Sequence, residues 1–289
     1  KRTLPDSAGP IHFSLITATL GRSAELVPLL ESLSVQTHTA FDLVIVDQNT
    51  DDRVTRVIEP YRASLKINRI KNDRRGLSRN RNLGLDHIHG DVVAFPDDDC
   101  EYDVDTLKKA AAFFEENPDH TFYACNIKEK DGKRSVFNGP RGNHPITVFN
   151  CTFTACSATL FIRSASLGNF RFDEQLGVGA RYGSGEETDL LYFLFKRRNR
   201  GSYFGETYIY HPYKDENSER VSYYASGFGA VYHKAVFTYG FWPLFPVFWA
   251  RIAKNIINLF VKPNRRDRYL ALKGRLRGFF CYRRPPKSR

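Results

Sequence analysis

Methionine is absent from the 289 residues, tryptophan occurs only twice and cysteine five times. No methionine opens the chain, which reads as a trimmed sequence. The cysteines (Cys100, Cys125, Cys151, Cys156 and Cys281) are odd in number and form no Cys-x-x-Cys pair. This argues against a disulfide framework or a zinc knuckle, and for reduced thiols packed as small apolar groups in a cytoplasmic compartment. Residues 1–10 are polar and hold no signal-peptide core. The aromatic-rich run 235–250 has sixteen residues without a charge, but Pro243 and Pro246 interrupt it. It falls short of the roughly 20 apolar residues needed to span a bilayer. Neither G-x-G-x-x-G nor G-x-x-x-x-G-K-[ST] occurs, which disfavours a dinucleotide-binding Rossmann enzyme and a P-loop NTPase. There is no internal repeat. Acid is scarce at one end: residues 262–289 carry eleven Lys or Arg against the single acid Asp267, so they hold +10 of the formal +11. Basicity confined to a tail points to an anionic partner, such as lipid headgroups or nucleic acid.

The first 120 residues alternate between two periodicities. Residues 13–19, 41–46, 65–70 and 91–95 are short apolar strands. Between them Leu26, Leu29, Leu30 and Leu33, then Val54, Val57, Ile58 and Tyr61, recur at helical spacing, with Ser23 a candidate cap for the first helix. A third helix spans about 78–87. Asp105 opens a fourth, with Leu107, Ala110, Ala111 and Phe114 on one side, that stops before Pro118. A β-α-β-α-β-α-β order with strands apolar on both faces implies an α/β fold, a mostly parallel sheet flanked by helices. From residue 122 the pattern turns irregular. Strand-like runs at 122–127 and 148–162 are mixed with Gly, Asn and Pro. An apolar helix over 190–195 follows Ser184-Gly-Glu-Glu-Thr-Asp-Leu190, and 208–212 is a short strand ending in His211. Residues 221–289 read as an amphipathic, aromatic and basic helical extension suited to a membrane interface.

The chemistry concentrates at Asp91-Val-Val-Ala-Phe-Pro-Asp-Asp-Asp-Cys100. A buried strand stops at Pro96, and three carboxylates follow it. Adjacent anions repel unless something positive sits among them. Hard divalent cations bind one or two carboxylates together with substrate phosphates. Alternate residues share a face, so Asp97 and Asp99 form a candidate pair for Mn²⁺ or Mg²⁺. Ligands of open α/β sheets bind at such strand ends.

At Phe95-Pro-Asp-Asp-Asp-Cys100 together with Ser184-Gly-Glu-Glu-Thr-Asp-Leu190 the sequence resembles the family 2 glycosyltransferases, inverting enzymes of the GT-A fold. The resemblance runs from residue 13 to about 212, with the elements in the family's order. It implies that Thr17, Ala18 and Thr19, at the end of the first strand, touch the nucleotide base. It implies the same of Asp47 and Asn49 in Val44-Ile-Val-Asp-Gln-Asn49. Gly76-Leu-Ser-Arg-Asn-Arg-Asn-Leu-Gly84 resembles the segment beside ribose and diphosphate, where Arg75, Gly76 and Arg79 are the candidates; Arg74 and Arg81 read as solvent-facing. The triple Asp resembles the family's D-x-D, with Asp99 the firmer metal ligand, Asp97 either a second ligand or a ribose contact, and Asp98 in the donor site. Glu187 aligns with the family's base, a Glu where an Asp is usual, and Glu186 and Asp189 are alternatives. His211 resembles a histidine that some relatives place near the metal.

The expected activity is metal-dependent, inverting transfer of a sugar from a nucleotide sugar, UDP-linked as the resemblance implies, to a glycan or lipid-linked glycan. The expected place is peripheral, at the cytoplasmic face of a membrane. The expected division is a transferase domain over 1–220, with a nucleotide half at 11–120 and an acceptor half at 121–220, followed by the extension. A sugar-1-phosphate nucleotidyltransferase normally has a Gly-rich basic loop after its first strand, and Ala18-Thr-Leu-Gly-Arg22 is a poor version of one. A glycan- or nucleic-acid-binding protein using the basic tail would leave the two acidic clusters without a task.

Overall fold

A computed structural model describes residues 9–130, 142–212 and 218–283. The expectation for residues 1–8 and the last six basic-tail positions, 284–289, lie outside the described residues. In chain order the elements are β1 (Phe13–Thr19), α1 (Leu26–Ser34), β2 (Phe41–Asp47), α2 (Arg53–Ile58), β3 (Ile67–Lys71), α3 (Leu77–Leu85), β4 (Val92–Ala94), β5 (Glu101–Tyr102), α4 (Thr106–Glu116), β6 (Phe122–Lys128), β7 (Asn143–Pro145), α5 (Cys151–Thr154), β8 (Leu160–Arg163), α6 (Ser164–Leu167), α7 (Glu186–Lys196), β9 (Gly201–Tyr210), α8 (Ser218–His233), α9 (Leu244–Val261) and α10 (Arg265–Cys281). They divide into two compact units. Unit 1 is Lys1–Arg75, Asn80–Asn169 and Arg198–Tyr213, and unit 2 is Gly76–Arg79, Phe170–Arg197 and Lys214–Arg289. Residues 170–197 thus group with the C-terminal helices, where a division at 220 had placed them with the sheet.

Unit 1 contains a nine-stranded mixed sheet in the order β3-β2-β1-β4-β8-β6-β9-β5, with β7 also on β9. The pairs β3-β2, β2-β1 and β1-β4 are parallel; antiparallel pairs begin at β4-β8. β2 is buried along its whole length and β1 nearly so, because helices cover both faces of a parallel sheet. Leu26, Leu29, Leu30 and Leu33 of α1, with Val54 and Ile58 of α2 and Leu107, Ala110 and Phe114 of α4, pack into this core. Each fully buried Leu or Phe contributes about 1.5–3 kcal/mol.

Three local expectations change. α1 begins at Leu26 with Glu25 at the capping position and no side-chain cap, so Ser23 does not cap it; Ser23 supplies its carbonyl to Leu26 N–H at 3.1 Å instead. The run 148–162 is not one strand: α5 occupies its middle, and only Leu160–Arg163 pairs in the sheet. The strand read at 208–212 is the end of the ten-residue β9, whose alternating burial leaves its first half weakly apolar.

Unit 2 is helical. α8 and α10 approach closely through glycines: a Cβ at Gly278 would lie 1.9 Å from the Ser226 carbonyl oxygen, and one at Gly229 would lie 2.0 Å from that of Arg275. Only the missing side chain permits this spacing. α9 runs unbroken through Pro246, because a proline in the first turn forfeits no helical hydrogen bond. With 18 residues, α9 is long and apolar enough, by length and composition, to cross a membrane.

Candidate active site

In unit 1 the chemistry gathers where β1, β2 and β4 end. The main chain leaves β4 at Pro96, whose carbonyl accepts a 3.1 Å hydrogen bond from the Thr17 hydroxyl. Asp97, Asp98 and Asp99 then diverge. Asp97 accepts from Arg81 at 3.0 Å, and the same guanidinium donates to Ser157 at 2.9 Å and lies over the Phe95 ring. Arg81 is 1 % exposed, so its reading as solvent-facing is overturned: it sits on the inner side of α3, where a buried cation requires a carboxylate partner. Asp98 and Asp99 are both nearly buried and share Arg22, which contacts Asp98 closely and reaches Asp99 Oδ2 at 2.8 Å. Burial pushes the Asp98 carboxyl up to about 6, against the opposing pull of Arg22. Arg22 carried little signal in the sequence, a single cation in the turn after β1, beside the end of the neighbouring β4.

His211 follows β9 and points its Nε2 at Asp99 Oδ1, 3.1 Å away. Its Nδ1 lies 2.8 Å from the Pro212 carbonyl oxygen, which can only accept, so Nδ1 carries the hydrogen. In a neutral ring Nε2 is then an acceptor facing a second acceptor. Such a pair holds together only around a proton or a metal cation. A carboxylate oxygen and an imidazole nitrogen suit Mn²⁺, and two protein ligands leave coordination positions for substrate phosphates. Among the described residues no group of three His, Cys, Asp or Glu is arranged to hold a metal, and Asp97 is directed to Arg81. The residues fit a divalent ion held by Asp99 and His211. An open cavity of about 430 Å³ adjoins this pair, lined also by Glu25, Glu101, Glu129 and Tyr210.

Asp47, at the end of β2, is buried and fully bonded. One carboxylate oxygen accepts from Asn49 N–H at 2.9 Å and Asn49 Nδ2 at 2.8 Å; the other accepts from Arg69 at 2.7 Å. Burial raises its pKa, but these donors outweigh burial and hold it below the usual carboxylate value. Arg69, one strand over on β3, was also missed. Asn49 in turn accepts from Gly21 N–H at 2.7 Å, tying the β1 and β2 turns together. Thr17 and Thr19 are buried, Ala18 is half-buried and Arg75 is exposed.

In unit 2, Arg79 pairs with Glu174 at 2.7 Å. Ser78 donates to the Leu176 carbonyl at 2.6 Å. α7 begins after Gly185, which stands at φ 93°, a left-handed conformation that favours glycine. Its first turn carries Glu186, Glu187 and Asp189, as suits the positive end of a helix. The three acids have different surroundings. Glu186 is buried, near enough to Gly177 that a Cβ there would meet its Oε2 at 3.2 Å. Glu187 is half-exposed. Asp189 is 1 % exposed, accepts from Lys234 Nζ at 2.7 Å and from Tyr239 OH at 2.9 Å, and lies in a closed cluster. Lys234 also holds Asp173 at 2.8 Å, and Asp173 accepts from Tyr282 OH. Burial pushes the Asp189 carboxyl up despite Lys234. It would lower Lys234, but the two carboxylates outweigh it and keep the ammonium charged.

The family model described as Glycosyl transferase family 2 matches residues 14–177, more than half of the chain. The chain belongs to glycosyl transferase family 2. Poly(ribitol-phosphate) beta-N-acetylglucosaminyltransferase TarS of Staphylococcus aureus is 28% identical to this family 2 chain over 226 residues, 75% of the chain and 38% of that relative. The chain therefore spans about two fifths of TarS. The crystal structure of TarS 1-349 in complex with UDP-GlcNAc superposes with a TM-score of 0.63 at 24% identity, covering 94% of this chain and 73% of that one. The mannosyltransferase PcManGT from Pyrobaculum calidifontis, in complex with GDP-Man and Mn2+, gives 0.68 at 13% identity, covering 98% and 91%. A Campylobacter jejuni GalNAc(5)-diNAcBac-PP-undecaprenol beta-1,3-glucosyltransferase is 24% identical over 193 residues, 64% of this chain and 60% of that one. These likenesses establish the GT-A fold.

Proposed function

We propose that this chain transfers a sugar from a nucleoside diphosphate sugar, UDP-linked by preference, to a hydroxyl of a glycan or lipid-linked glycan, with inversion at the anomeric carbon. The observation that carries the reading is the Asp98–Asp99–Arg22–His211 cluster at the strand ends of a family 2 chain. The solved relatives with UDP-GlcNAc and with GDP-Man and Mn2+ support a nucleotide-sugar donor and a divalent ion. The undecaprenol-linked substrate in the name of the Campylobacter relative supports a lipid-linked acceptor; such an acceptor would be met at the inner face of a membrane.

In this reading Thr17, Ala18, Thr19, Asp47 and Asn49 receive the nucleotide. Asp47 is a preorganised acceptor, because Arg69 and Asn49 already hold it ionised and still. Asp97 faces the ribose, and Arg75, Gly76 and Arg79 serve ribose and diphosphate. Asp99 and His211 hold Mn²⁺ or Mg²⁺. When bound, the ion neutralises charge developing on the leaving diphosphate. Arg22 can supply positive charge to the same oxygens. Glu187 is the base: of the three acids in the first turn of α7 it alone is half-exposed, while Glu186 and Asp189 are buried. The acceptor oxygen attacks C1 and its proton passes to the Glu187 carboxylate. The C1–O bond to the diphosphate breaks, and its electron pair leaves with the nucleoside diphosphate.

Calorimetric titration of UDP, GDP and dTDP, with and without Mn²⁺, tests the donor site in wild type and Asp99→Ala. The expected result is manganese-dependent binding of one nucleotide, lost in the variant. A folded protein that binds none of the three with metal present would end the transferase reading.

A further inference from the structure

Within unit 2, α9 has two apolar sides. Leu244, Phe248 and Ile252 form the inner one, buried against Tyr232 of α8 and Phe279 of α10. Phe245, Trp249, Ile256 and Phe260 recur at i, i+4, i+11 and i+15, a single stripe on a helix of 3.6 residues per turn. The stripe opens toward solvent along its length: Phe245 and the half-buried Trp249 still pack on Phe279, whereas Ile256 is 43% and Phe260 74% exposed. α10 continues it. Phe280 touches Trp249 at 6.0 Å between ring centroids, and Tyr269, three turns earlier on the same line of α10, is also exposed. Ile257 and Val261 extend the apolar surface at the end of α9.

The charges around this surface are nearly all of one sign, Asp267 at the start of α10 being the one acid from residue 220 to 283. No acid occurs between Glu219 and Asp267, whereas Lys254, Lys262, Arg265 and Arg266 are exposed at the last turns of α9 and the start of α10. An exposed apolar patch this continuous marks a contact surface. A second copy placed across a two-fold axis would bring basic rim against basic rim. Anionic headgroups complement that rim, and acyl chains complement the stripe. Although α9 is long enough to cross a bilayer, its inner side is held by Phe279 and Tyr232, and Arg251 and Lys254 lie within it.

We propose that the outer face of α9 and α10 lies in the plane of an anionic lipid surface, with Ile256, Ile257 and Phe260 among the acyl chains and Lys262, Arg265 and Arg266 on the phosphates. The proposal names the surface on which the lipid-linked acceptor would be met, and only in that purpose does it rest on the transferase reading. The test is cosedimentation of the full chain with vesicles of phosphatidylcholine alone and with added phosphatidylglycerol, at low and high salt. Parallel samples carry Ile257→Glu/Phe260→Glu or Arg265→Glu/Arg266→Glu, with thermal unfolding and nucleotide titration on each. Expected are binding to the anionic vesicles only, weakening at high salt, and a partition lowered about tenfold or more in either double variant with nucleotide binding unchanged. Equal binding to both vesicle types, no binding by folded wild type, or light scattering that shows a dimer lost in Ile257→Glu/Phe260→Glu would overturn it. Lost nucleotide binding with vesicle binding intact would instead count against the donor site and leave this surface standing.

Discussion

Each unit sets carboxylates against one cation, and the two clusters do opposite things. In unit 1, Asp98 and Asp99 meet Arg22, whose side chain is 30% exposed, and Asp99 borders an open cavity. In unit 2, Asp173 and Asp189 meet Lys234 at side-chain exposures of 5%, 2% and 9%, and Tyr239 and Tyr282 close the remaining directions. The open cluster is accessible to a ligand, as the proposed donor site requires. The closed one is not, and it fastens α7 to the segment after α8 and to the end of α10. Acidic residues alone do not mark a reaction site; access does.

The sharpest way to break this comparison is at α7. Glu187→Gln is expected to lower kcat by about 10²–10⁴-fold, as loss of a general base does, with nucleotide binding and unfolding midpoint unchanged. If Asp189→Asn instead lost activity at full stability, the closed cluster would be catalytic. Lys234→Met leaves two buried carboxylates without their cation, and chemical unfolding should show a loss of about 3–5 kcal/mol. A loss under about 1 kcal/mol would mean that water reaches the cluster.

Gly278→Ala sharpens the architectural side of the contrast. Its Cβ would meet the Ser226 carbonyl at 1.9 Å, so α8 and α10 must separate. The expected loss is about 1–3 kcal/mol by the same measurement. The smallest effect is one of pH. Burial would raise Asp173, but Lys234 and Tyr282 outweigh it and hold its folded-state pKa below the usual value. Its contribution is therefore present above the ordinary carboxylate pKa and lost as pH falls through the lowered one. In Asp173→Asn the decline in stability between about pH 4 and pH 2 should be shallower, read by urea titrations at each pH.

The first half of the fold was legible because its signals are local. β1 was read to the residue, and α1 and α4 followed from apolar spacing along a few turns; the apolar run 190–195 marked α7, which begins four residues earlier, at Glu186. The region 148–162 was misread because the Thr and Phe residues of α5 (Cys-Thr-Phe-Thr) suit a strand as well as the Leu, Phe and Ile of β8 do, and only β8 finds strand partners. The candidate site shows the same divide. The ordered motifs singled out Asp47, Asp97–Asp99 and His211, now seen in unit 1, and Glu187, now seen in unit 2. The cations that meet these aspartates, Arg22, Arg69 and Arg81, were not legible, and neither was Lys234 beside Asp173 and Asp189, since each reaches its acid across strands or helices that sequence spacing does not bring together.

Sequence alone determined the family, the alternation of strands and helices, the strand-end carboxylates and a C-terminal region basic and aromatic at once. These follow from periodicity and residue type, which act over neighbouring positions. Tertiary structure decided which acid is open and which is closed. Glu187 and Asp189 stand two residues apart on one helix, about 200° around its axis, so they face opposite ways. Only the packing of Lys234 and Tyr239 against one side of α7 determines that Asp189 is the buried anchor and Glu187 the acid left at the surface.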